Sequence, residues 1–349
     1  MSWMDRFNSK QLTIVIVCIT AFFITMAVFT MVAGSSDSSS KDSYLVDNGD
    51  GSDKGGRKFK FSEEDRSEGG GDSIVVNKPI EGDPYEELND LIGLDEVKAE
   101  VRSLANFVKV QKQREAKGLK TPNLSYHLVF TGSPGTGKTT VARIVARIYK
   151  DLGILKKGHL VETDRSGLIG QYVGQTAPRV NAMCDSALNG VLFIDEAYAI
   201  TQSESSNDYG AEAVATLLKR MEDDRDRLVV IVAGYTNEMK HFIDTNPGLQ
   251  SRFNRYIHFP DYSSDDLYKI FRKYLKKNQY TITKEAATYL KQRLDYAVEH
   301  KDRNFGNARF VRNVFEKTIQ NQANRVAKAG KVSEDELVEI TLVDVKGAI

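Results

Sequence analysis

Hydrophobic positions are distributed along this chain in three different ways. Residues 12–33, LTIVIVCITAFFITMAVFTMVA, form a run of 22 residues without a charge. About 20 apolar residues carry a helix across a bilayer, and the apolar core of a cleaved signal is shorter. The run therefore predicts one membrane-spanning helix behind a short tail, 1–11. Residues 34–73 then hold ten Ser, eight Gly, ten acidic and six basic residues, a composition that cannot bury a core. The stretch 34–80 is expected to be a disordered linker, spanning on the order of 35 Å as a random coil.

From residue 85 the pattern changes. The apolar runs YHLVFTG, GHLVETD, GVLFIDEA, LVVIVAGY and YIHFPD alternate with segments of helical period. Several of them are continuously rather than alternately apolar, which marks strands covered on both faces, as in a parallel α/β sheet. Beyond Pro260 helical stripes take over. Leu267, Ile270, Phe271, Tyr274 and Leu275 make one, and Phe310, Val311, Val314, Phe315 and Ile319 another. The expected organisation is an α/β core over 85–260 followed by a helical subdomain over 261–349.

Charge changes this picture little. With 48 basic and 48 acidic residues the chain has no global attraction for nucleic acid, and none is expected as a partner. The two cysteines, Cys18 and Cys184, are too far apart in sequence to suggest a disulfide framework or a zinc site, so the C-terminal part reads as residing in a reducing compartment. Arg6 and Lys10 before the apolar run outnumber Lys41 after it, a weak bias toward a cytoplasmic N-terminus. The chemistry beyond the run outranks that difference.

That chemistry begins at GSPGTGKT: Gly132, Ser133, Pro134, Gly135, Thr136, Gly137, Lys138 and Thr139, with Thr140 next. The stretch fits G-x-x-x-x-G-K-[ST] between a strand and a helix. Glycines let backbone N–H groups curl around phosphates, the helix N-terminus adds positive potential, Lys138 reaches the outer phosphates and Thr139 ligates Mg²⁺. ATP and Mg²⁺ are the implied cofactors. The strand of VLFIDEA ends in Asp195, suited to the metal shell, and Glu196, suited to orient and deprotonate the attacking water. A different feature is the apolar pair Tyr172 and Val173 between Gly170 and Gly174 in a polar stretch, where burial is hard and exposure unfavourable.

Together these motifs resemble the AAA+ ATPases, and within them the red-type Rubisco activases and the stage V sporulation protein K-like ATPases. The likeness runs from LIGLDEVKAEV through KGHLVETDRSGLIGQYVGQTAPR and NPGLQSRFNRYIHFPDYS to GNARFVRN, over roughly residues 85–349. The resemblance implies a P-loop core with a small helical lid, assembled as a homo-hexamer. It implies a sensor-1 residue at Thr236 or Asn237, an arginine finger at Arg252 with Arg255 as second candidate, and a sensor-2 residue at Arg309, with Arg312 one turn further on. It also implies that Tyr172 and Val173 face a central channel and grip a protein substrate. The expected function is a membrane-anchored ATPase that remodels or threads proteins, its ATPase part facing the cytoplasm, most readily at a bacterial inner membrane. No H-E-x-x-H or G-x-S-x-G motif follows the ATPase, so it is read as a motor rather than a protease. The alternatives are a nucleic-acid motor or clamp-loader-like ATPase, and an ATP-switched membrane scaffold with little turnover.

Overall fold

The computed structural model describes residues 75–77, 82–122, 125–202, 209–328 and 332–349. The tail 1–11, the expected membrane helix 12–33 and most of the linker lie outside the described residues. Among the described residues no helix is long and apolar enough to cross a membrane.

The chain enters through a short strand β1 (Val75–Asn77) and two helices, α1 (Pro84–Asn89) and α2 (Asp95–Ala116). Strand β2 (Leu128–Gly132) runs into α3 (Lys138–Asp151), and β3 (Leu160–Thr163) into the single turn α4 (Arg165–Leu168) and then α5 (Thr176–Ser186). Strand β4 (Gly190–Ile194) leads through a 3-10 turn, Ala197–Ile200, to α6 (Tyr209–Asp223). Strand β5 (Leu228–Gly234) is followed by α7 (Thr236–Asp244) and α8 (Pro247–Arg252), and β6 (Tyr256–Phe259) completes the sheet. The five expected apolar runs thus supply β2 to β6.

The sheet order is β1-β3-β4-β5-β2-β6, parallel throughout except that β1 lies antiparallel on β3. Strand β1 corrects the expectation of linker over all of 34–80. Three residues pair there with Leu160, Val161 and Glu162. A strand this short has no readable period of its own, and its partner 85 residues away in sequence is what organises it.

Continuous hydrophobicity has the expected cause, since successive side chains of a strand point to opposite faces and both faces are covered. In β2, Leu128 and Phe130 join the core with α2 and α3, whereas Val129 joins the core with α5, α6 and α7. In β5, Val229, Ile231 and Ala233 face the first core and Leu228, Val230 and Val232 the second. Val191 and Phe193 of β4 face the first, Leu192 and Ile194 the second.

The helical lid consists of α9 (Ser264–Lys277), α10 (Lys284–Glu299), α11 (Ala308–Lys328), α12 (Glu334–Val338) and α13 (Leu342–Lys346), with a two-stranded parallel ladder of β7 (Thr281–Ile282) and β8 (Glu339–Ile340). Helix α9 starts where the Ser263 hydroxyl accepts the Asp266 N–H at 3.1 Å. It buries Leu267, Phe271 and Leu275, spaced four apart on one face, as the sequence stripe predicts. Phe315 of α11 takes Phe271 edge-on at 5.6 Å and stacks on Tyr274 at 5.3 Å. These residues belong to the same apolar cluster as α2 and α3, so lid and core share one continuous interior.

At the start of β2, His127 is buried against Phe253, and its Nδ1 accepts the Val230 N–H at 2.9 Å. Burial, with a smaller push from Arg252, lowers its pKa to about 4. The unfolded chain takes up a proton near pH 6.5 and the folded chain only near 4, so stability present above pH 6.5 is lost as pH falls toward 4. Urea melts should show about 2 kcal/mol less stability at pH 5 than at pH 7 from this group. His127→Gln, which keeps an acceptor that does not titrate, should remove that part of the slope; an unaltered slope would assign it to other groups.

Candidate functional site

Strands β4, β5 and β2 are adjacent, and their C-terminal ends present the chemistry along one edge of the sheet. Thr131 pairs with Gly234 and Ile194 with Val232, so the phosphate loop after β2, the acids after β4 and the start of α7 converge. The phosphate loop is fixed from within. The buried Thr136 hydroxyl donates to Ser133 O at 2.8 Å, and Gly135 and Gly137 have φ of +69° and +96°, which glycine alone adopts without strain. A Cβ on Gly132 would collide with the Phe259 carbonyl of β6. Thr139 and Thr140 open α3, the first half-buried and the second exposed.

Lys138 donates to Gly132 O and Ser133 O, both at 2.9 Å. Burial pushes its pKa down; Asp195, Glu196 and Asp261 act in the opposite direction, while Arg309 adds to the lowering. Four of the expected site residues therefore share one electrostatic neighbourhood. Glu196 is exposed and has φ +47°. A left-handed residue other than glycine costs of order 1–3 kcal/mol, and such strain concentrates where a side chain must be aimed. Its N–H donates to Asp195 Oδ1 at 3.1 Å, and its carbonyl starts the 3-10 turn through the Ala199 N–H at 2.8 Å.

Thr236 and Asn237 both stand exposed in the first turn of α7, directly beyond β5. Their placement favours neither as sensor-1. Arg309, exposed at the start of α11, reaches the site because the preceding turn packs on the phosphate loop: a Cβ on Gly135 would collide with the Gly306 carbonyl, and Ala308 N–H donates to Gly135 O at 3.1 Å. Arg312 pairs with Glu316 at 3.1 Å on the same helix.

Arg252 is at the other end of the sheet. It precedes β6, whose first residue pairs with Val129 and whose last pairs with Gly132. The length of β2, about 13 Å at 3.3 Å per residue, separates it from its own phosphate loop. Its guanidinium pairs with Glu222 at 3.1 Å and its backbone carbonyl accepts the Ser125 hydroxyl at 2.6 Å. Arg255 lies 4.6 Å over the Phe107 ring, a packing position.

Residues 128–261 match a family model described as "ATPase family associated with various cellular activities (AAA)", and residues 263–349 match an AAA lid domain model. Stage V sporulation protein K of Bacillus subtilis is 40% identical over 262 residues, covering 74% of this chain and 80% of that protein. This chain belongs to the AAA ATPases. The chloroplastic ribulose bisphosphate carboxylase/oxygenase activase of Cyanidioschyzon merolae is 44% identical over 258 residues, 73% of this chain and 87% of that one. The ESX-3 secretion system protein EccA3 of Mycobacterium leprae is 42% identical over 287 residues, 75% of this chain. The matched part spans 44% of EccA3's length. The solved FIGL-1 AAA domain in complex with ADP superimposes with a TM-score of 0.54 at 19% identity, over 79% of this chain and 85% of that one, a likeness of fold.

The AAA ATPase binds and hydrolyses ATP, and its residues fit that ligand. Lys138 and the N-terminus of the 14-residue α3 supply positive potential over a glycine cradle too tight for side chains. The Thr139 hydroxyl and the Asp195 carboxylate are hard oxygen donors of the kind Mg²⁺ takes beside phosphates, where the ion would neutralise developing charge on the transferred phosphoryl group.

Sequence reasoning missed several contributors. Asp261 accepts from Lys301 at 2.6 Å and from Asn307 at 2.9 Å; burial alone would raise its carboxyl, but bonds from Lys301, Asn307 and Ser133 bring it below its usual value. Beside Thr236 and Asn237, Arg303 of the lid pairs with Glu238 and lies 5.2 Å over the Tyr235 ring. The only sequence signal for these was their proximity to quoted motifs.

Proposed function

We propose that this AAA ATPase remodels protein clients, drawing them through the channel of a homo-hexameric ring, with residues 12–33 holding it in a membrane and its ATPase part facing the cytoplasm. The observation that carries the reading is the loop before α5. Tyr172 and Val173 are 68% and 82% exposed, whereas most large apolar side chains among the described residues are buried. Exposed apolar side chains side by side suit grip on unfolded chain, which needs contact without sequence preference.

The loop is free at its tip and fixed at its base. Gly174 has φ +80° and open space around it, while at the base the Gly170 N–H donates to Thr176 Oγ1 at 3.2 Å. From α4, the Arg165 guanidinium donates to the carbonyls of Ala199 and Ile200, at the end of the turn that begins at Glu196. A shift at Glu196 has a short mechanical route to Tyr172. In this reading Arg252, which cannot reach its own phosphate loop, completes the site of a neighbour, and head-to-tail contacts of that kind close into rings.

The test is a client trap. Full-length Glu196→Gln protein should bind ATP without splitting it. Expressed in its native cell and purified with ATP, it should retain proteins identifiable by mass spectrometry that are lost from a Glu196→Gln, Tyr172→Ala double variant. Matching lists would remove Tyr172 from a gripping role and leave an ATP-switched scaffold. In the same cells the full chain should stay in carbonate-washed membranes and a deletion of residues 1–34 should not; equal partitioning would sink the anchor.

A further inference from the structure

Asn307 is fully buried where the lid meets the phosphate loop. A buried amide is costly unless its groups are partnered, and here all are. Its NH₂ group donates to Pro134 O at 3.2 Å, to Asp261 Oδ1 at 2.9 Å and to Phe305 O at 3.1 Å, and its Oδ1 accepts the Tyr262 N–H at 3.0 Å. Two N–H donors thus serve three acceptors, and the oxygen has a partner as well, so neither end of the amide is left unpaired. The partners come from three separate pieces of chain: the phosphate loop, the link between β6 and α9, and the turn before α11.

The backbone of Asn307 is also constrained. Its φ is +48°, a conformation that Asn, Asp and Gly tolerate and other side chains resist. The residues on either side extend the same contact, with Gly306 against Gly135 and the Ala308 N–H on the Gly135 carbonyl. Tyr262 adds a weaker tie from its hydroxyl to Thr136 O at 3.4 Å. Arg309 follows two residues later.

We infer that Asn307 is a positioning residue for ATP binding and turnover: its amide holds the start of α11, and with it Arg309, against the phosphate loop, so that lid position and phosphate-loop shape are tied together. The tie is reciprocal, as any coupling between two sites must be. Nucleotide that orders the loop at Pro134 and Gly135 also orders the lid, and displacement of the lid loosens the loop.

The experiment uses the full chain and two variants. Asn307→Asp keeps size, backbone tolerance and the acceptor for Tyr262, but puts oxygen where NH₂ met the Asp261 carboxylate and the Pro134 carbonyl. Its KM for ATP should rise at least tenfold and its affinity for ADP should fall comparably, measured on protein shown to be folded by its thermal midpoint. Adding Asp261→Asn restores the amide–carboxylate contact with donor and acceptor exchanged, and the oxygen of the new amide stays available to Lys301. The double variant should recover at least threefold in KM over the single one. KM and ADP affinity within twofold of the parent in folded Asn307→Asp would overturn the inference. So would a double variant that regains thermal stability with no gain in KM, because Asn307 would then be only structural. If Asn307→Asp does not fold, Asn307→Gly, which keeps the backbone conformation and adds no charge, replaces it, with the same tenfold rise in KM and fall in ADP affinity expected and values within twofold of the parent overturning the inference.

Discussion

Lys138→Ala should weaken nucleotide binding about a hundredfold or more while leaving the fold intact. Its ammonium is set inside the glycine cradle, within bonding distance of the carbonyls of Gly132 and Ser133, and charge-assisted hydrogen bonds are worth about 1.5–3 kcal/mol each. Losing two such bonds to phosphate weakens ATP roughly a hundredfold or more. The folded chain itself loses little. Burial already pushes the Lys138 pKa down, so the ammonium is held at a desolvation cost that alanine does not carry. Calorimetry with ATP and a thermal melt without it separate the two effects. Unchanged ATP affinity in the variant would remove GSPGTGKT from the nucleotide site.

Arg252→Ala should reduce hydrolysis by about a thousandfold or more, the range that a guanidinium placed on the transferred phosphoryl group contributes. Unfolding is not the reason to expect this, because the Glu222 partner is 55% exposed and an ion pair that open contributes at most about 1 kcal/mol. Geometry makes the prediction sharper. Since Arg252 is the length of β2 away from its own phosphate loop, Arg252→Ala retains a sound pocket without a finger, and Lys138→Ala retains a finger without a sound pocket. Each alone should be inactive, and mixing them should regain phosphate release at interfaces where the pocket of one faces the finger of the other. Absence of recovery in verified mixed assemblies would exclude action on a neighbour.

Where the sequence was legible, the signal was contiguous. Eight consecutive residues of the phosphate loop carry their own conformational and chemical requirements, and they need only a strand before and a helix after to be placed. The same holds for the apolar strand leading into Asp195 and Glu196, and for the lid stripe of Leu267, Phe271 and Leu275, whose spacing is the helix period itself. Glu196 shows the limit of that legibility. Its identity announced a candidate base, but its left-handed backbone arises from the turn into Ala197–Ile200, which no pattern of residue types prescribes.

Thr236 and Asn237 mark a second limit. Adjacent residues in the first turn of one helix share nearly the same position relative to the β5 edge, so sequence and fold alike bring both to the site. Strand β1 marks a third, since three residues acquire their conformation only from β3 beside them.

The amino-acid sequence by itself determined that this chain is an α/β ATPase with a helical lid, because strand burial, helix periodicity and phosphate chemistry are each written within a few consecutive residues. The tertiary structure decided how those pieces act on one another. It set Arg252 at the far end of the sheet from its own site, tied Arg165 to the turn after Glu196, and closed Asn307 onto Pro134, 173 residues away in sequence. Such contacts are invisible along the chain because each partner's residue type fits many surroundings. Only the packing of helices on both sheet faces, with the lid continuing the core of one of them, brings a particular donor within reach of a particular acceptor.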